Sequence, residues 1–398
     1  MTDMMQGFPP PEPAQVTLGN WRTAPFSAWA FHHVREILPT AEIPHAPASV
    51  RDLPAALQSL DGVSAAGASG RSLSHADVLA ETDTDGLVIL HQGHIIAEHY
   101  AHGMDARAPH ILMSVSKSLL GLLAGTPAVQ AMLGLERPIT DLVPEMANGP
   151  YGSISIRHLL DMRAGIVYDE NYGTTSGPII AYRKAMGWNP LAPGDTPTDV
   201  RSFLATLAVP AGPHGGKFNY VSPGTDLLGW AIERAMGQRY ADVMAEQLWQ
   251  PMGAEWPASI TVDRLGSARA AGGMSMATRD LARVGQLLVE GGARGRRQIV
   301  PEAWIGDLET GGDRAAWDQG TLADYYPGAA MTYRAKWYAD HGPLGPLLFG
   351  MGIHGQNVFV DRRRQLVIAK FSSQAIPLDH ARMALTMRWV DAVRTQLS

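Results

Sequence analysis

Two apolar, β-rich runs flank His91-Gln92-Gly93 in "GLVILHQGHIIAEHY" (86–100), a pattern that predicts a hairpin. The tail repeats it in "GIHGQNVFVDRRRQLVIAKFSS" (352–373), with Asp361 to Gln365 as the turn, and "DHARMALTMRWVDAVRTQL" (379–397) closes as a helix. Between about 105 and 265 helical patterns dominate. "ISIRHLLDMRAGI" sets Leu159, Leu160 and Met162 at helical spacing, with Gly165 as the stop. "TDLLGWAIERAMG" (225–237) runs from an N-cap-like Thr225 to Gly237, and "TRDLARVGQLLVEGG" (278–292) is a further amphipathic helix with a glycine end. Residues 51–60 read as a short helix and 61–75 as a loop of small residues. Residues 1–50, rich in proline and aromatics, read as an arm wrapping the body.

Leu119 to Leu135 carries no charge over 17 residues, but Pro127, Gln130 and three glycines interrupt it. A helix buried all round in a large core has this composition, so the segment predicts a central helix rather than a membrane span. Strands near both ends with helices between them imply an α+β fold. The expected organisation is an antiparallel sheet subdomain from 51–104 and 266–398, a mostly helical subdomain from 105–265, the arm at 1–50, and an active site between the subdomains.

Composition narrows the function. The 398 residues, 45% hydrophobic and 18% charged, suffice for a large core. A net charge of −6 argues against nucleic acid, and the short basic clusters at Arg294–Arg297 and Arg362–Arg364 lie beside turn signals as solvated loops. The chain has no cysteine, which excludes disulfides and thiol catalysis. "MTDMMQGFPPPEP" has acid and proline where a secretory signal needs a basic start and an apolar run, so the cytoplasm is expected.

The candidate chemistry lies in "ILMSVSKSL" (111–119), an apolar stretch holding three serines and a lysine. Ser114 and Lys117 are three apart, which on a helix places them on one face about 5–6 Å apart at Cβ. Ser-x-x-Lys pairs a nucleophile with a base. Burial and the helix N-terminus both disfavour a charged Lys117. A serine cap followed by an exposed lysine is the alternative, against which stand the apolar neighbours Ile111, Leu112, Met113, Leu119 and Leu120. In "GKFNYVSPGTDLLGW" (216–230), Tyr220 sits on a turn ahead of a helix, where it either shares the proton of Ser114 with Lys117 or is a half-buried structural tyrosine.

Together, Ser114-Val115-Ser116-Lys117, Tyr220-Val221-Ser222 about a hundred residues on, and a glycine-bearing strand near the C-terminus resemble the serine β-lactamase/penicillin-binding-protein fold. The similarity is greatest to its class C-like branch of esterases and amidases, the family VIII-type carboxylesterases among them. "ILMSVSKSL", "GIHGQN" and "WAFHHVREILPTAEI" (29–43) resemble the 6-aminohexanoate-dimer (nylon-oligomer) hydrolases, and "AAGGMSMATRDLARVGQLL" (270–288) extends the likeness over nearly the whole chain. The resemblance implies a β-lactamase/DD-peptidase-like fold, with Ser114, Lys117 and Tyr220 catalytic and the N–H groups of Ser114 and Ile353 as the oxyanion hole. By position, Tyr172 would donate a hydrogen bond to the substrate or leaving group and Trp188 would pack over it, with a purely structural aromatic as the alternative for each. Trp337 or Tyr338 would form the opposite wall. Gly352 would allow close approach of a substrate, and His354 lies adjacent, though strand alternation can turn it away.

Two boxes depart from the antibiotic-directed members. Ser222 replaces an asparagine, and Gly350-Met351-Gly352 replaces Lys-Thr-Gly, which removes a charge-assisted contact to a substrate carboxylate worth about 1.5–3 kcal/mol. The loop-like segment 168–190 reads as a lid, where Arg183 and Lys184 either repel a substrate ammonium or simply face solvent. The expected activity is hydrolysis of carboxylic esters, and of linear amides less well, through an acyl-enzyme on Ser114. A β-lactamase or D-amino-acid peptidase-like activity and a non-catalytic acyl-binding or sensor role stay open. The expected partner is a small ester or amide, with no nucleic acid and no membrane; a homodimer is left open. No metal or cofactor is required: the fourteen histidines include no His-Glu-x-x-His, and His91 and His94 fall in the predicted hairpin turn.

Overall fold

A computed structural model describes residues 4–207 and 212–397. Its main sheet has seven antiparallel strands in the order Met331–Arg334, Trp337–Asp340, Leu347–Gly352, Gln356–Asp361, Leu366–Ser372, Thr84–His91 and His94–Tyr100. The predicted hairpin turns at Gln92 (φ 51°) and Gly93 (φ 77°), the two left-handed positions that a tight turn between twisted strands needs. Leu366–Ser372 pairs with Thr84–His91, so the sheet closes between the two ends of the chain.

The inner strands are buried on both faces, and their residues divide with period two. Val88, Leu90, Val358, Val360 and Val367 join the core that holds helix Thr278–Val289. Leu87, Ile89, Phe359, Leu366 and Ile368 face Trp389, Val390 and Val393 of helix His380–Gln396. Helices on both faces explain why these strands read as near-continuous apolar runs. A second sheet of four strands orders Thr40–Ile43, Ala258–Thr261, Met274–Ala277 and Pro109–Ile111. The N-terminal arm thus adds an edge strand, and the chain leaves Pro109–Ile111 directly into the Ser114 turn.

Several sequence expectations are corrected. Residues 51–60 form no helix; Ala55 instead bridges to Ile95, and the Ala56 N–H donates to the Ile95 carbonyl at 2.8 Å. The supposed loop 61–75 carries a small hairpin, Ser64–Ala66 with Ser72–Ser74, leading into helix His75–Glu81 through a Ser74/Asp77 capping box. The stretch 119–135 is two helices, Val115–Gly125 and Pro127–Leu133, because Thr126 precedes proline and is held extended (ψ 143°). Helix Pro223–Met236 begins ahead of Thr225, with proline in its first turn, and Ile156–Leu160 ends well before Gly165. Segment 168–190 contains helix Pro178–Ala185. Among the described residues no helix is long and apolar enough to cross a membrane.

Candidate active site

The chain reaches Ser114 through Met113, a non-glycine residue at φ 46°, and Ser114 then stands at the N-cap of helix Val115–Gly125. The other two serines of the run are anchors. The Ser116 hydroxyl accepts the Met274 N–H at 3.1 Å, and the Ser118 hydroxyl donates to the Lys336 carbonyl at 3.0 Å. They tie the helix to the small sheet on one side and to the tip of a hairpin on the other.

Lys117 is 1% exposed. Its Nζ donates to Ser114 Oγ at 2.9 Å and to the Ala271 carbonyl at 2.6 Å. Burial pushes the ammonium down to about 7; the carboxylates of Glu170 and Asp226 oppose the shift, and Arg269 reinforces it. An amine neutral near physiological pH and bonded to a hydroxyl can accept its proton. Tyr220 completes the group: it lines the same cavity as Ser114, and its ring centroid lies 5.0 Å from Lys117 Nζ. Burial first, and then the charge of Glu170, hold this phenol far above its ordinary range, so it stays protonated. Asn219 fixes the turn by donating from Nδ2 to the carbonyls of Ala164 and Ile166, both at 2.9 Å.

Gly352 ends its strand against the Ser114 turn. A Cβ there would lie 2.6 Å from the Leu112 carbonyl oxygen and 3.0 Å from the Ser114 nitrogen. Only a residue without a side chain lets the strand end approach the Leu112 carbonyl and the Ser114 amide this closely. Ser114, Tyr172, Tyr220, Tyr338, Gly352 and Ile353 line a cavity of about 530 Å³. A recess of about 30 Å³, lined by Trp188, also opens on Ser114 and shares Tyr172 and Ile353.

Two expected wall residues are corrected. Trp337 is fully buried and donates Nε1–H to the Ser118 carbonyl at 3.0 Å; its neighbour Tyr338, on the opposite face of the strand, lines the cavity instead. His354 turns away, its Nδ1 2.7 Å from the Gln374 carbonyl and its ring edge-on to Phe31, and burial lowers it to about 4. Tyr172 lines the cavity, but its hydroxyl already donates to Glu170 Oε1 at 2.6 Å. Trp188 is buried, with Nε1–H donating to Thr261 Oγ1 at 3.1 Å. Arg183 lines the recess, whereas Lys184 pairs with Asp195 at 2.5 Å.

Sequence reasoning missed Glu170 as a structural hub. Its Oε2 accepts the Ser222 N–H at 2.8 Å and its Oε1 the Ser222 hydroxyl, so the serine that replaces asparagine is occupied by a carboxylate. A second missed group is the pair Arg269–Asp226, 2.6 Å apart. Asp226 Oδ1 accepts the Ala271 N–H at 2.8 Å, which holds the residue whose carbonyl accepts from Lys117. The available signal was a carboxylate and a guanidinium inside the apolar, glycine-rich runs "GTDLLGW" and "ARAAGG".

The chain is similar to known proteins over nearly its whole length. The Beta-lactamase family profile matches residues 76–390. The 6-aminohexanoate-dimer hydrolase of Paenarthrobacter ureafaciens is 34% identical over 371 residues, covering 93% of this chain and 91% of the relative. A Bacillus anthracis protein provisionally described as a 6-aminohexanoate-dimer hydrolase superposes with a TM-score of 0.87 at 26% identity, over 97% of this chain and 98% of that one. EstCE1, a hydrolase with promiscuous acyltransferase activity, shares the fold with a TM-score of 0.62 at 19% identity, over 80% of this chain and 98% of its own. With that profile spanning most of its length and a relative aligned nearly end to end, the chain belongs to the Beta-lactamase family and is a hydrolase of the serine type.

Proposed function

We propose that the protein hydrolyses small carboxylic esters through an acyl-enzyme on Ser114, with linear amides as slower substrates. The observation that carries this reading is the Lys117 amine, lowered to about 7 and 2.9 Å from Ser114 Oγ. Ser114 Oγ attacks the acyl carbon while Lys117 takes its proton, and the N–H groups of Ser114 and Ile353 hold the oxyanion. The tetrahedral intermediate expels the alcohol, which receives a proton from Tyr220, itself reprotonated by Lys117. Water then attacks the acyl-enzyme, gives its proton to the same pair, and releases the acid and free Ser114.

Esters come first because an alkoxide leaves more readily than an amide nitrogen. Penicillins fit poorly, since Gly350-Met351-Gly352 offers no cation to a lactam's carboxylate. The discriminating experiment compares kcat/KM for p-nitrophenyl butyrate with that for the 6-aminohexanoate dimer. Ester turnover orders of magnitude above dimer turnover supports the reading; equal values make amide cleavage the primary function.

A further inference from the structure

The recess beside Ser114 has an unbalanced charge. Arg22 from the arm, Arg183 from helix Pro178–Ala185 and Arg269 line it, against a single carboxylate, Glu170. Arg269 is neutralised by Asp226 behind it. Glu170 is engaged by the N–H and hydroxyl of Ser222 and by the Tyr172 hydroxyl. Neither Arg22 nor Arg183 has a carboxylate partner among the described residues. Arg22 gives one N–H to the Asn189 side chain, while its Nε is buried with no acceptor, and Arg183 only approaches the Tyr172 ring face, 5.9 Å from its centroid. With Lys117 neutral, the recess keeps an excess positive charge. Burial, reinforced by Arg183 and Arg269, lowers Arg22 to about 9, as expected of a cation awaiting an anion.

Size and position specify that anion further. About 30 Å³ holds two or so waters, the bulk of a carboxylate, and excludes a ring. Tyr220 lines the large cavity and not the recess, so the leaving group it protonates departs through the large cavity. The recess therefore faces the acyl half. We infer that the recess formed by Arg22, Arg183 and Trp188 binds a carboxylate at the far end of the acyl group, so that the favoured substrates are half-esters of dicarboxylic acids. The inference rests on the hydrolase reading above. It reverses the preference suited to an acyl group that ends in an ammonium.

Three ethyl esters of one chain length test it at mildly alkaline pH: ethyl hexanoate, ethyl hydrogen adipate and ethyl 6-aminohexanoate, which are neutral, anionic and cationic at the tip. The half-ester should exceed ethyl hexanoate in kcat/KM by about tenfold or more, as expected for a charge-assisted contact in a partly dry site, and the amino ester should be slowest. Arg183→Gln should shrink the adipate-to-hexanoate ratio and Arg183→Asp should invert it. Arg22→Gln should act in the same direction; because Arg22 is part of the packed arm, the half-buried Arg183 carries the decision if that variant does not fold. A wild-type half-ester rate equal to or below that of ethyl hexanoate overturns the inference while leaving the hydrolase reading intact, as does a ratio that neither Arg183 variant changes. Hydrolysis of none of the three esters overturns the ester-hydrolase reading and this inference with it.

Discussion

Gly352→Ala tests the proposed oxyanion hole through how closely strand Leu347–Gly352 must approach the Ser114 turn. The glycine has φ −132°, which any residue adopts, so the substitution introduces no backbone strain. Its effect is purely one of contact. The new methyl would meet the Leu112 carbonyl oxygen at 2.6 Å, and an ordinary contact of 3.4 Å requires the strand and the turn to part by about 0.8 Å. That displacement acts directly on the spacing of the Ser114 and Ile353 amides. Misplacing reacting groups by about 1 Å costs on the order of 10²-fold, and losing one oxyanion donor about 10²–10³-fold. The expected result is a fall of about 10²-fold in kcat for p-nitrophenyl butyrate, with a smaller change in KM. Overpacking should cost about 1–3 kcal/mol of stability, visible as a lowered Tm with cooperative unfolding retained. Gly285→Ala is the matched control, since its methyl would meet Val367 Cγ1 at 2.3 Å at a helix–sheet contact away from the site. It should destabilise without a comparable loss of kcat. A folded Gly352→Ala enzyme within a few-fold of wild-type kcat would refute the oxyanion geometry.

Three further outcomes follow from buried amines. Lys117 acts only when neutral, so kcat/KM should rise with pH through about 7 and then level off, because protonated Tyr220 lies too high to add an alkaline limb below about pH 10. Lys117→Arg, permanently charged, should be nearly as inactive as Lys117→Ala; near-normal turnover would show that Lys117 supplies only charge. Lys117, Lys336 and Lys370 are all buried and lowered, Lys117 and Lys370 to about 7. Between about pH 7 and 10 the unfolded chain binds protons at these positions and the folded chain does not, so stability should rise with pH in that window. Lys370→Met should flatten the rise in Tm, and an unchanged slope would contradict a neutral Lys370.

The sequence displayed the parts of this fold whose signals are local. Apolar runs around Gln92-Gly93 give the hairpin, and Ser114 with Lys117 at helical spacing gives the pair at its centre. What it hid depends on partners distant along the chain. Residues 51–60 look helical in isolation, but Ala55 and Ala56 are drawn to the edge strand at Ile95. Adjacent Trp337 and Tyr338 have equal claims to the cavity until the register against Phe349 settles which face is which. His354 sits beside Ile353 yet turns away at φ 63°, a backbone state that no composition signal marks. The Ala271 carbonyl that holds Lys117 is a backbone group with no side-chain signature, and Arg22 reaches the recess only because the distant arm folds back over Trp188.

The central claim is an acyl-enzyme on Ser114, and intact-protein mass spectrometry with a fluorophosphonate probe tests it most directly. The expected result is one adduct per chain, mapped by peptide sequencing to Ser114, slowed by Lys117→Ala and absent from Ser114→Ala, which should fold but not hydrolyse p-nitrophenyl butyrate. An adduct on another residue, or a Ser114→Ala protein that keeps more than a few per cent of activity, would contradict it.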